Sequence, residues 1–264
     1  MKMGNAGAPA AGIILNNDRA GDSNLGVTDI SIVFSLSRTA GSDSSHRISA
    51  GLKAGMGQRS IDYSNLTFDE QFNGDSYDPN APTGETFGTN SITFPDVSAG
   101  FNWLYAPKKS FRVSAGAGLH HINTPEQSFL GDKKERLRRK LLLHGQALFE
   151  DVYPGLDAVP AFMAARQNSF SEIMAGGFLV YSMKLAKGQQ TAFRLGSFYR
   201  NRDALLIVAG MDYEGVSAGI SYDANLSGLR PASHGRGGFE ISVIYIIRQF
   251  RPLNVKNPLC PVYL

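Results

Sequence analysis

The chain has 264 residues, of which 42% are hydrophobic, and it carries 29 glycines, 16 Phe, 10 Tyr and a net charge of +3. That length holds one large domain or two ordinary ones, and so small a net charge gives no footing for nucleic acid. No apolar run approaches the roughly 18 residues of a membrane helix, and the lone Cys260 excludes an internal disulfide framework or a Cys-rich metal site.

The first residues, Lys2 and then Gly4–Leu15, are Ala- and Gly-rich without a compact apolar core, so they do not read as a signal peptide. An export signal, if used, would lie upstream of residue 1 or have been removed. Pro9–Leu15 is a short apolar strand. Asn16–Leu25, rich in Asn, Asp and Gly, reads as a loop. Strict alternation then begins. Thr28, Ile30, Ile32, Phe34 and Leu36 face one way; Asp29, Ser31, Val33, Ser35 and Ser37 face the other. After a turn at Thr39–Ser45, Ile48, Ala50, Leu52, Ala54 and Met56 oppose Arg47, Ser49, Gly51, Lys53 and Gly55.

Residues 58–93 form a long polar segment carrying Phe68, Phe72, Tyr77 and Phe87. Those aromatics predict a loop folded over something rather than a disordered one. Arg59–Phe68 is a possible extension of the preceding strand, and the whole segment is the best internal candidate for plugging a barrel. Asp96–Tyr105 and Phe111–His121 alternate again around a turn at Ala106–Ser110. A polar loop with a basic segment, Lys133–Lys140, reads as solvated. Arg139–Phe149 and Ala158–Arg166 follow, joined through Tyr153-Pro154-Gly155, with Pro160 weakening the second strand. Ser171–Leu185, Thr191–Tyr199, Ala204–Tyr213, Val216–Asp223 and Phe239–Arg248 complete about twelve strands with no convincing helix.

The apolar faces are bulky and the opposite faces hold Gly, Ser and charges. That is the pattern of a barrel with apolar residues toward lipid and polar residues toward the lumen. Connections after the even strands are short. Those after strands one, three, five and eleven are longer, as in an outer-membrane barrel with both chain ends on the short-turn side. The expected organisation is an all-β, antiparallel transmembrane barrel over residues 1–249 and a Pro-containing periplasmic tail over 250–264. Its lumen network would include Arg47, Lys53, Arg112, Arg194, Asp223 and Glu240, whose mixed signs favour internal ion pairs over a strongly selective channel. Phe101, Trp103, Tyr105, Tyr181, Tyr199, Tyr213, Tyr222 and Tyr245 read as an interfacial girdle rather than a ligand-stacking set.

Catalytic and metal chemistry find no constellation here. His120 and His121 are adjacent, and in a strand they would point to opposite faces, which prevents joint chelation. Asn16–Asp22 lacks the oxygen spacing of a known Ca²⁺ loop. There is no Gly-x-Ser-x-Gly elbow and no phosphate-binding loop. No enzyme activity and no cofactor are expected.

Five segments in order carry a resemblance: Asn16-Asn17-Asp18-Arg19-Ala20-Gly21; Gly57-Gln58-Arg59-Ser60-Ile61-Asp62; Phe198-Tyr199-Arg200-Asn201-Arg202-Asp203-Ala204; Gly219-Ile220-Ser221-Tyr222-Asp223-Ala224-Asn225-Leu226-Ser227; and Gly235-Arg236-Gly237-Gly238-Phe239-Glu240-Ile241-Ser242. Together with a late Cys260-Pro261 pair, their succession over nearly the whole chain resembles the PorP/SprF family of the Bacteroidetes type IX secretion system. Members of that family start with a signal peptide and about two further strands, giving about 14 in all. The resemblance implies a bacterial outer-membrane protein that works with type IX secretion or gliding components. It would bind a secreted adhesin through the cargo's C-terminal domain, with outer-membrane lipid around it and no nucleic acid. Candidate partner contacts in the loops are Asn17, Asp18, Arg19, Phe72, Tyr77, Phe87, Arg200, Arg202, Arg230 and His234. Two other readings stay open: a channel or hydrophobic-solute transporter, and a structural anchor for a periplasmic motility complex.

Overall fold

A computed structural model describes residues 8–41, 44–108, 110–132, 134–184, 190–228 and 237–247. The alternating stretches form twelve strands: β1 (Ala8–Ala20), β2 (Leu25–Ala40), β3 (His46–Ser60), β4 (Ser91–Lys108), β5 (Phe111–His120), β6 (Lys140–Tyr153), β7 (Leu156–Gln167), β8 (Phe170–Lys184), β9 (Gln190–Arg200), β10 (Ala204–Tyr213), β11 (Val216–Asn225) and β12 (Phe239–Tyr245). They make one sheet in which each strand pairs antiparallel with its neighbours in the chain. Among the described residues no pairing joins β1 to β12, so the sheet is not closed. Its meander is nonetheless consistent with a β-barrel. Apart from β12, every strand has at least the length needed to cross a bilayer at a tilt, about 9–11 residues.

The faces are inverted relative to a water-soluble sandwich. Ile32 is 67% exposed, Leu52 61% and Leu195 60%, while Ser31 is 1% exposed and Asp96 2%. The buried hydrophobics among the described residues are Phe94, Ala165, Phe198 and Ala204. Withdrawing one Leu or Ile side chain from water is worth about 1.5–3 kcal/mol. This sheet leaves that gain uncollected along its whole outer face, so an apolar solvent must supply it.

The polar face holds small residues because larger ones do not fit. A Cβ on Gly57 would stand 2.7 Å from the Phe94 ring, and one on Gly55 would stand 2.2 Å from the Ile30 carbonyl oxygen. Pro160 carries no N–H, and the β6–β7 ladder skips from Gln146–Ala161 to Phe149–Ala158 around it. The register then shifts before Tyr153, where Asp151 takes a positive φ of 54°.

Strand parity sorts the connections onto two ends. One end has the links 41–45, 109–110, 154–155, 185–189 and 214–215. The other has 21–24, 61–90, 121–139, 168–169, 201–203 and 226–238. The first connection corrects the sequence reading. Asn16–Ala20 is not loop but the end of β1, with Asn17, Asp18 and Arg19 opposite Thr28, Val27 and Gly26. Asn17 Nδ2 donates to Thr28 Oγ1 at 2.7 Å, so cross-strand pairing overrides the turn propensity of Asn and Asp. The long segment is also shorter than expected, because Gln58 and Thr93 belong to β3 and β4. Of Arg59–Phe68 only Arg59 and Ser60 prolong β3, which ends at Ser60; single 3-10 turns follow at Tyr63–Asn65 and Asp69–Gln71. The tail 250–264, Cys260 and Arg248 lie outside the described residues.

Candidate functional site at the loop rim and polar face

The loop end is a bonded rim. The Asp62 amide donates to Ser23 O at 2.7 Å, tying 61–90 to the first turn. The Thr89 amide donates to Phe129 O at 3.0 Å, tying it to 121–139. Arg59 at the end of β3 donates from Nη1 to Gln127 Oε1 below that junction. Within 61–90 the Ser64 hydroxyl and amide both donate to Asp62 Oδ1, at 2.6 and 3.0 Å. The hydroxyl bond first, then the amide bond, hold the Asp62 carboxyl below its ordinary range. Tyr63 and Phe87 stack at 4.4 Å between ring centroids, with Phe68 against Phe87 at 5.3 Å. The bonds that leave the segment run to the rim, which supports a platform over the strand ends more than a plug deep among them.

Gln71 is the hub of this platform. It is 5% exposed. Its side chain accepts from the Phe68 amide at 3.1 Å and donates to Ala81 O at 3.2 Å. The Asp78 amide donates to its carbonyl at 2.8 Å. Phe72 and Tyr77, two of the expected contacts, face each other across an antiparallel bridge and remain 56% and 46% exposed. Phe87 is 38% exposed and Leu130, on the adjoining loop, is 75% exposed.

One of the remaining expected loop contacts has another position. Arg200 is the last residue of β9, not part of a loop. Its guanidinium pairs with Asp203 at 2.9 Å, Asp223 at 3.1 Å and Glu172 at 3.3 Å on the polar face. Arg202 does lie in the turn between β9 and β10, with φ of 60° and its amide donating to Tyr199 Oη at 3.3 Å. Arg230 and His234 lie outside the described residues.

The polar face carries ion pairs of both signs. Lys53 Nζ is 3.0 Å from Asp29 and 3.7 Å from Asp96. Ser31 Oγ donates to Asp29 at 2.9 Å. Arg112 pairs with Glu150 across β5 and β6. Arg194 pairs with Asp212 at 3.1 Å and donates to Ser217, spanning β9 to β11. Arg47 lies opposite Thr39 and Leu104, and Glu240 opposite Ser221; neither joins an ion pair among the described residues. Asp96, His121, Glu172 and Asp203 were not foreseen in these networks. Glu172 was legible from parity, being an even position in a strand whose odd positions are apolar.

His121 corrects the sequence argument outright. β5 ends at His120, and His121 takes a left-handed φ of 56°. The alternation rule therefore stops one residue early, and the two imidazoles sit on related sides with centroids 6.2 Å apart. His121 Nδ1 is 2.8 Å from Asp96 Oδ1.

Aromatic side chains mark both ends of the apolar face. At the tight-turn end Trp103 Nε1 donates to His46 Nδ1 at 3.1 Å, and Tyr105 stacks on His46 at 4.7 Å. Tyr213, Val216 and Tyr245 follow one another across β10, β11 and β12. At the loop end Tyr222 lies opposite Phe239. No helix among the described residues is long and apolar enough to cross a membrane.

A search of the curated proteins found no match. The family model described as type IX secretion system membrane protein PorP/SprF matches residues 2–245. That family comprises secretion-system membrane proteins rather than enzymes. An inverted antiparallel sheet and a match spanning all twelve strands agree, and the chain belongs to the PorP/SprF family of type IX secretion system membrane proteins.

Proposed function

We propose that this protein is an outer-membrane β-barrel accessory of type IX secretion that holds a secreted adhesin by its C-terminal domain at the loop rim. One observation carries the reading: Phe72, Tyr77 and Phe87 stand exposed on a platform that is itself hydrogen-bonded and fixed to its neighbours. Exposed aromatics on an ordered surface are the usual anchors of a protein interface. Other secretion or gliding components would complete the assembly, with bilayer lipid against the apolar face. The paired charges of the polar face support this reading over that of a passive channel.

The test is recovery of cargo from detergent-solubilised envelopes. The wild-type protein should retain an adhesin's C-terminal domain, and a Phe72→Ala, Tyr77→Ala double variant should lose most of it. Failure of the wild type to retain such a domain, together with solute flux in liposomes, would replace this reading with the channel.

A further inference from the structure

We infer that the platform formed by residues 61–90 recognises a basic protein segment, one carrying Lys or Arg beside apolar side chains. This rests on the cargo reading above and names the chemistry of the partner. Residues 61–90 contain Asp62, Asp69, Glu70, Asp75, Asp78 and Glu85 and no Lys or Arg. Six carboxylates give −6 in a chain of net +3, so the rest of the chain carries +9. The segment's sign is therefore opposite to that of the molecule.

The carboxylates fall into two groups. Asp62 and Asp78 are used internally, accepting from Ser64 and from the Asn80 amide at 2.9 Å. Asp69, Glu70, Asp75 and Glu85 are exposed, and their carboxylates make no hydrogen bond or ion pair among the described residues. They surround the Phe72–Tyr77 bridge in sequence, and Gln71, buried between Asp69–Glu70 and that bridge, fixes the backbone presenting both. An ordered platform loses little conformational entropy on binding, and its charges steer an oppositely charged partner toward the aromatics.

The same charges select against the other occupants. Anionic lipid headgroups and nucleic acid are repelled. A metal ion needs converging ligands, and no three His, Cys, Asp or Glu side chains converge among the described residues. A protein segment with cations flanking apolar residues satisfies both the carboxylates and the rings.

The experiment uses the full chain in nonionic detergent and two fluorescent peptides, one alternating Lys with Leu and the other Glu with Leu. The Lys peptide should bind at least tenfold more tightly, and its affinity should fall as salt rises. Asp69→Lys with Glu70→Lys should weaken it tenfold or more. Phe72→Ala with Tyr77→Ala should weaken it while leaving the salt dependence in place. All four side chains are exposed, and retention of the β-sheet signal in circular dichroism controls for folding. Equal binding of the two peptides, or binding indifferent to both double variants, overturns the inference. Native cargo retained equally by wild type and the Lys variant also overturns it while leaving the cargo reading intact. Selective Lys-peptide binding without any cargo retention sustains the inference and removes the cargo reading instead.

Discussion

The two ends of the sheet solve different problems. At the tight-turn end, three of the five links are two residues long, at 109–110, 154–155 and 214–215. The links at 154–155 and 214–215 take left-handed φ at Gly155, Glu214 and Gly215. Aromatic rings gather there on the apolar face, as they do where a membrane meets water. At the loop end the chain invests length, carboxylates and a buried Gln71 in holding aromatics out of the sheet. The first end is explained by spanning a bilayer. The second is not, since a bilayer needs neither the 61–90 platform nor its charge. Function is therefore to be sought at the loop end, and stability between the ends.

That division predicts an order of effects. The largest belong to the apolar face. Leu195→Arg, placed mid-strand on β9, should cost about 2–4 kcal/mol of stability in lipid vesicles, measured by urea unfolding. Next come the paired charges. Lys53→Met leaves Asp29 and the 2%-exposed Asp96 without their cation, and about 1–3 kcal/mol should be lost in the same assay. Gly57→Val drives a side chain against Phe94, which should cost about 1–3 kcal/mol by overpacking. Loop-end changes should leave the unfolding midpoint almost untouched. If Phe72→Ala lowered it as much as Lys53→Met does, the separation of the two regions would fail.

The smallest expected effect is local and pH-dependent. The folded Asp62 carboxyl titrates below its unfolded value, because Ser64 donates to the ionised form. Its contribution is present above the unfolded value and is lost as pH falls through the folded one. Protection of the Ser64 amide from hydrogen exchange, taken relative to its intrinsic rate, should thus fall in acid, and Asp62→Asn should remove that dependence. An unchanged pH profile in the variant would assign the protection to the neighbouring backbone bonds.

Much of the sheet was legible because period-two alternation survives in nearly every strand, as in Ile30, Ile32, Phe34 and Leu36. Parity alone also put Asp29 and Lys53 on one face. Their contact, and that of Arg200 with Glu172 and Asp223, depends on register between strands, which a single sequence does not display. Asn16–Ala20 is strand although Asn16, Asn17 and Asp18 each favour a turn singly, because the ladder with β2 decides their conformation. His121 escapes the alternation because a left-handed backbone at a non-glycine residue leaves no mark in composition. On the rim, the aromatics were visible as a set. The role of Gln71 was not, since a buried amide looks the same in sequence as a solvated one.

The division between a spanning sheet and a working rim depends on which way the strands face. Nitroxide labels placed singly at 192–198 on β9, in a Cys260→Ser background reconstituted into vesicles, report this directly through collision with oxygen and with a water-soluble nickel complex. Oxygen access should peak at 193, 195 and 197 and nickel access at 192 and 194, while 196 and 198, packed against Phe178, should be shielded from both. The reverse pattern, or one with no period of two, would contradict it.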